Sequence, residues 1–241
     1  MPYFELDETR HLLHVHIPKT GGTSINNYFW ETYPTAKSRL YGRIGRYPTV
    51  LQHLTLEQIL NDEAYFGVRS SDCDVLAVVR DPYSRMLSEL AYSRMIDDSI
   101  RSNDSIRSND SIRSNDSIRS NDSIRSNDSI RERTFRALQS LLADFSMNPY
   151  VHGGRLRPQS DYVKVPERFR ESFRESDRIK ILRTETLQGD MRALGFVDFS
   201  KRDNATGAHR VDPFEYFDDR SVALINSVYR ADFDAFGYGM K

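Results

Sequence analysis

The sequence predicts an α/β protein in three layers, with a central parallel sheet flanked by helices. Three observations carry this. The apolar run Leu12-Leu13-His14-Val15 reads as a buried strand, and it passes through a Gly-Gly turn into a helical segment at 25–30. Asp74-Val75-Leu76-Ala77-Val78-Val79 is a second apolar run, continuous enough for a strand covered on both faces, as in parallel sheets. Strands alternate with helices along the chain, which places the helices in outer layers.

Each element has a local cause. Between the first strand and its helix lies His16-Ile17-Pro18-Lys19-Thr20-Gly21-Gly22-Thr23-Ser24. A strand, a tight turn carrying a lysine and a helix N-terminus together form a phosphate cradle. Backbone N–H groups point into the turn, the helix dipole favours negative charge, and the lysine adds a full positive charge. Thr55 and Gln58 have capping-box spacing, so a helix is expected to start at Thr55. After the second strand, Asp81 is expected to cap a helix with Pro82 in its first position, and Met86, Leu87, Leu90 and Ala91 keep helical spacing. Ile179-Lys180-Ile181-Leu182 is a shorter strand, followed by a helix through Leu187, Met191 and Leu194 that stops near Gly195. Val222, Leu224, Ile225 and Val228 mark a last helix leading to Phe233 and Phe236.

One segment departs from this pattern. From Ser99 the unit Ser-Ile-Arg-Ser-Asn-Asp occurs five times up to Asp128, and a partial copy, Ser129-Ile130-Arg131, follows. Each unit is neutral. In a helix a six-residue period turns successive isoleucines by roughly 240°, so no apolar stripe forms. Ser, Asn and Asp are weak helix formers. The composition reads as a solvated, mobile insert at 99–131 within a single domain spanning 1–241. A helical extension of the flanks, with Arg and Asp pairing along it, is the alternative, and a binding role is a third. Whole units can be gained or lost without a change of charge, which suits a tether of variable length.

The composition excludes several classes. A length of 241 residues suits one α/β domain, and 38% hydrophobic with 29% charged residues reads as soluble and globular. A net charge of −1 argues against a broad nucleic-acid-binding surface. No apolar run approaches the roughly 20 residues that span a bilayer. The N-terminal residues lack the features of a signal peptide. Cys73 is the only cysteine, so there is no intrachain disulfide and a cysteine-based metal site is disfavoured. A reducing cytoplasm is the expected location, unless a targeting or anchor segment has been removed. No His, Asp or Glu cluster has metal-ligand spacing, so no metal is expected.

The lysine-bearing loop differs from the nucleoside-triphosphate loop G-x-x-x-x-G-K-[ST], because Lys19 precedes Gly21 and Gly22. The phosphate-cradling logic survives, and the magnesium-binding logic is not evident. Residues 16–25, HIPKTGGTSI, resemble the 5′-phosphosulfate-binding loop of sulfotransferases, most closely the carbohydrate (glycan O-) sulfotransferases. Val79-Arg80-Asp81-Pro82-Tyr83-Ser84-Arg85-Met86-Leu87-Ser88 resembles the same family's 3′-phosphate-binding segment, in which an arginine and a serine eight residues later hold that phosphate. The likeness is clear over 11–96 and weaker through Arg157-Pro158-Gln159-Ser160-Asp161-Tyr162, Leu182-Arg183-Thr184-Glu185 and the C-terminal aromatic residues.

The resemblance implies a P-loop-like fold and 3′-phosphoadenosine 5′-phosphosulfate as donor. It implies transfer of a sulfuryl group to a carbohydrate or glycan hydroxyl, without a metal. Lys19, Thr20, Gly21, Gly22, Thr23 and Ser24 would hold the 5′-phosphate, with Lys19 stabilising the leaving group, and Arg80 with Ser88 would hold the 3′-phosphate. His53, in Leu51-Gln52-His53-Leu54-Thr55, resembles the position where related glycan sulfotransferases carry their catalytic histidine. A helix N-terminus beside it biases it toward the neutral form a base requires. His14 and His16 are expected to pack or to orient the loop, while His11, His152 and His209 lack supporting context. Arg85 is either a second phosphate contact or a helix-surface charge. Arg155, Arg157, Gln159 and Tyr162, after the turn Val151-His152-Gly153-Gly154, either line the cleft or face solvent. Asn204-Ala205-Thr206-Gly207 resembles a late substrate-side loop.

Two other classes compete. A P-loop nucleotide kinase would need an acidic magnesium ligand, for which Asp81 is the one candidate. A non-catalytic nucleotide-binding scaffold would leave the conjunction of Lys19, His53, Arg80 and Ser88 without a purpose.

Overall fold

The computed structural model describes residues 3–8, 10–33, 42–68, 73–96, 129–174, 178–200 and 211–241. The expectations for the repeat up to Asp128, for Asn204-Ala205-Thr206-Gly207 and for His209 lie outside the described residues.

A four-stranded sheet organises the chain, in the order β1 (Tyr3–Glu5), β2 (His11–Val15), β3 (Cys73–Val79) and β4 (Ile179–Arg183). β2 and β3 are parallel with Leu13 opposite Val75, and β3 and β4 are parallel with Ala77 opposite Ile181. The expected central parallel sheet carries one antiparallel strand at its edge. β1 runs antiparallel to β2, with Phe4 opposite Leu12. The reason is the connection: a short turn in which the Arg10 N–H donates to Asp7 Oδ1 at 2.8 Å permits only a hairpin, and a parallel pair needs a crossover of a dozen residues or more.

Among the described residues the helices are α1 (Gly22–Thr32), α2 (Leu56–Leu60), α3 (Glu63–Phe66), α4 (Pro82–Tyr92), α5 (Ile130–Met147), α6 (Gln159–Tyr162), α7 (Arg170–Arg174), α8 (Leu187–Ala193) and α9 (Asp219–Phe236). None is long and apolar enough to cross a membrane. Side chains alternate across the sheet. Leu12, Leu76 and Val78 pack with Ile25 and Phe29 of α1 and Met191 of α8. Leu13, Val15, Val75, Ala77 and Val79 pack on the other side with Leu56, Ile59, Phe66 and Tyr162. These two clusters make the three layers. Fully buried side chains such as Phe29 and Leu76 contribute roughly 1.5–3 kcal/mol each. A third cluster joins α4, α5 and α9 through Leu87, Leu90, Leu138, Leu141, Ile225 and Phe233.

Side chains cap the helices where the sequence places cap residues. Thr55 and Gln58 form the capping box of α2. Asp81 accepts from the Ser84 N–H at 2.8 Å and starts α4, with Pro82 in its first turn. Replacing Asp81 by alanine is expected to lower unfolding free energy by about 1 kcal/mol in urea titrations; no change would remove its capping role. Ser129, in the last partial repeat, caps α5 by accepting from the Glu132 N–H, and Arg131 donates to the Phe214 carbonyl at 2.8 Å. The final Ser-Ile-Arg is thus the first turn of a core helix.

Candidate active site

The site is built where β2 and β3 end. At the end of β2 the chain turns through Lys19 (φ 68°) and Gly21 (φ 90°), both left-handed, and enters α1. No side chain caps α1 and no acidic residue lies in its first turn, unlike the side-chain-capped N-termini of α2, α4, α5 and α9. The Ser24 N–H donates to the Gly21 carbonyl at 3.1 Å, and a helix N-terminus without a side-chain cap suits an anion. The Thr20 hydroxyl donates to the Ile17 carbonyl at 2.8 Å, so this fully buried side chain braces the turn from within. Ser24 is buried in the first turn of α1. Gly22 must lack a side chain: a Cβ there would lie 2.2 Å from the His16 ring.

His16 belongs to a buried set of imidazoles. Its ring stacks on His14 with centroids 5.6 Å apart and meets His53 edge-on at 5.6 Å. Asn26 of α1 bridges the first two, with His14 Nδ1 at 2.7 Å from its Oδ1 and His16 Nδ1 at 3.5 Å from its Nδ2. Burial pushes His14 down to about 4 and holds His16 well below the ordinary histidine value. The expectation that these two orient the loop agrees with this placement.

His53 ends a short 3-10 turn, Leu51–His53, just before the Thr55 cap. Its Nδ1 lies 3.0 Å from the Gly153 carbonyl oxygen. A carbonyl only accepts, so Nδ1 carries the proton and Nε2 presents a lone pair. Burial is the main cause that lowers His53 to about 4, with Arg155 and Lys19 adding to it electrostatically. Burial thus favours the neutral form that the sequence also leads one to expect from the nearby helix terminus.

Arg80, at the end of β3, is buried, and its Nη1 donates to the Lys19 carbonyl at 3.3 Å. Burial pushes it down to about 10, still a cation at neutral pH. Gln159 grips its main chain at both polar atoms, accepting from Arg80 N at 2.9 Å and donating to Arg80 O at 2.8 Å. Asp232 of α9 accepts from the N–H groups of Gln159 and Ser160, both at 2.8 Å. The Thr184 hydroxyl lies 2.8 Å from the Thr20 carbonyl and 3.1 Å from that of Val79, joining the two strand ends. Ser88 is buried in α4.

A strand-end turn with a lysine, an uncapped helix behind it and a second cation at the next strand end place two positive charges at the ends of neighbouring strands. The comparisons give the family: the model of the sulfotransferase family matches residues 2–239. The chain belongs to the sulfotransferase family. It is therefore an enzyme of sulfuryl transfer. No curated protein and no solved structure matches it.

In this sulfotransferase the Lys19 ammonium lies 4.1 Å from the centroid of Tyr92, the last residue of α4, and the Arg155 guanidinium lies 5.0 Å from the same ring. The buried Glu89 accepts from Arg155 Nε at 2.8 Å. Of the two alternatives read for Arg85, a helix-surface charge does not survive. Its guanidinium is buried, and it donates to the carbonyls of Pro18 (3.2 Å), Arg155 (2.7 Å) and Arg157 (2.9 Å). It ties the lysine-bearing loop to the 155–157 segment. Gln159 and Tyr162 do not face solvent either: Gln159 holds Arg80 as described, and the Tyr162 hydroxyl donates to the Gly154 carbonyl at 2.7 Å. The sequence assigns no individual role to Thr184, Asp232, Glu89 or Tyr92. None sits in a phosphate-binding pattern, and each acts through a partner at least 66 residues away or through a ring face.

Proposed function

We propose that this sulfotransferase moves a sulfuryl group from 3′-phosphoadenosine 5′-phosphosulfate to a carbohydrate or glycan hydroxyl. The observation that carries the reading is the buried His53 with its Nδ1 3.0 Å from the Gly153 carbonyl, which leaves Nε2 to accept a proton. The uncapped N-terminus of α1 with Lys19 suits the 5′-phosphate of such a donor, and Arg80 with Ser88 suits the 3′-phosphate. His53 Nε2 takes the proton of the acceptor hydroxyl as the acceptor oxygen bonds to sulfur. The Lys19 ammonium neutralises the oxygen between phosphorus and sulfur, which receives the electron pair of the breaking bond. Positioning and charge neutralisation supply most of the rate, as in phosphoryl transfer. The chain acts as one domain, with the repeat as an insert. The kinase alternative gains nothing from Asp81, which spends Oδ1 on the cap of α4.

Thermal unfolding in the presence of 3′-phosphoadenosine 5′-phosphate or of ATP with magnesium tests the donor. At about 100 times its Kd the bisphosphate is expected to add about 2.7 kcal/mol of stability. Stabilisation by ATP with magnesium alone would sink the reading.

A further inference from the structure

The turn that meets His53 is unusual in its backbone. His152, Gly153 and Gly154 are all left-handed, with φ of 52°, 67° and 79°. Such a run has a cost at its one non-glycine residue, and it persists only where surrounding contacts over-determine it. The contacts come from three separate elements. Thr49 Oγ1 donates to the Gly153 carbonyl at 2.7 Å. The Tyr162 hydroxyl donates to the Gly154 carbonyl at 2.7 Å, and Arg85 holds the carbonyls of Arg155 and Arg157. Gly154 is pressed between two of these anchors: a Cβ there would lie 3.4 Å from both Thr49 Oγ1 and Tyr162 Oη. The Gly153 carbonyl therefore has one orientation, and it receives two donors, Thr49 Oγ1 and His53 Nδ1.

We propose that Thr49 is a positioning residue: by holding the Gly153 carbonyl in place, it keeps the His53 proton on Nδ1 and the lone pair on Nε2. The inference rests on His53 as the base. A histidine base needs a partner on its second nitrogen to set its tautomer and ring orientation, commonly a carboxylate or a backbone carbonyl. Here a carbonyl takes that place. The charged groups that bear on His53, Arg155 and Lys19, are cations and cannot accept from Nδ1–H, and His16 meets it only edge-on. Thr49 is buried, so its hydroxyl serves this carbonyl rather than solvent. If the carbonyl swings away, nothing favours the Nδ1–H form, and molecules carrying the proton on Nε2 cannot accept one there.

Long-range proton–nitrogen spectra of the full-length protein with 15N-labelled histidine read the tautomer without an acceptor. Wild-type His53 is expected in the Nδ1–H form, and finding it as Nε2–H would overturn the inference without any variant. Thr49→Val keeps the shape and removes the donor; His53 is then expected to populate the Nε2–H form to roughly half or more. Thr49→Ser restores the donor and is expected to restore the Nδ1–H form. With an unsulfated polysaccharide that supports turnover, Thr49→Val should lose about tenfold in kcat with unchanged affinity for 3′-phosphoadenosine 5′-phosphate. A Thr49→Val protein that retains the pure Nδ1–H form overturns the inference and leaves the base reading standing. Full turnover by His53→Ala overturns the base reading itself.

Discussion

His53→Ala is expected to lower sulfuryl transfer by about 10²- to 10⁴-fold while leaving the affinity for 3′-phosphoadenosine 5′-phosphate nearly unchanged. The split follows from where His53 sits. The loop that suits the 5′-phosphate is braced by Thr20, Gly22, His16 and Thr184, and the Arg80 main chain is held by Gln159. His53 joins neither set; its Nδ1 bonds to the Gly153 carbonyl. Removing the imidazole should therefore cost the proton transfer and not the donor. The neighbouring histidines are poor substitutes, since His14 is bonded to Asn26 and His16 lies against Gly22. Transfer of labelled sulfuryl to an array of unsulfated polysaccharides measures turnover, and calorimetry with the bisphosphate measures binding. Loss of binding with retained turnover per bound donor would move His53 into the donor site.

The second large effect is acid destabilisation. His14, His16 and His53 are neutral and buried in the folded protein, with His14 and His53 near 4 and His16 well below the ordinary value. In the unfolded chain each takes up a proton near pH 6.5. Above that pH neither state binds the protons and the cluster costs nothing. As pH falls below 6.5 the unfolded chain binds them and the folded protein does not, so stability declines until the folded values are reached. At pH 5 the loss is about 2 kcal/mol for each histidine, which over three is a large share of a typical total of about 5–15 kcal/mol. Urea titrations at pH 7.5, 6.0 and 5.0 should show a steep fall, and His14→Gln should make it shallower. A flat stability between pH 7.5 and 5 would refute the buried neutral cluster.

The capping signals show what was legible. Thr55 with Gln58 and Asp81 with Pro82 specify their helix starts because every partner lies within three residues, and the observed bonds are those the spacing predicts. The apolar runs at β2 and β3 were legible for a similar reason: a strand covered on both faces must be continuously apolar. β1 was not, since three residues carry no period. The bracing role of Arg85 was not legible because its partners, the carbonyls of Pro18, Arg155 and Arg157, are backbone atoms that no residue pattern advertises. His53 was singled out by resemblance, and the burial that favours its neutral form comes from elements distant in sequence.

What the sequence by itself determined is therefore local: a lysine turn before an uncapped helix, an arginine before a capped one, and an order of elements that places both at strand ends. Those features depend on neighbours a few residues apart, and the chain carries them before it folds. The tertiary structure alone decided which nitrogen of His53 holds the proton, through a carbonyl 100 residues away, and how the Arg80 backbone is held, through a side chain 79 residues away. Those depend on a carbonyl's direction and on exclusion of water, and both exist only once the layers have closed.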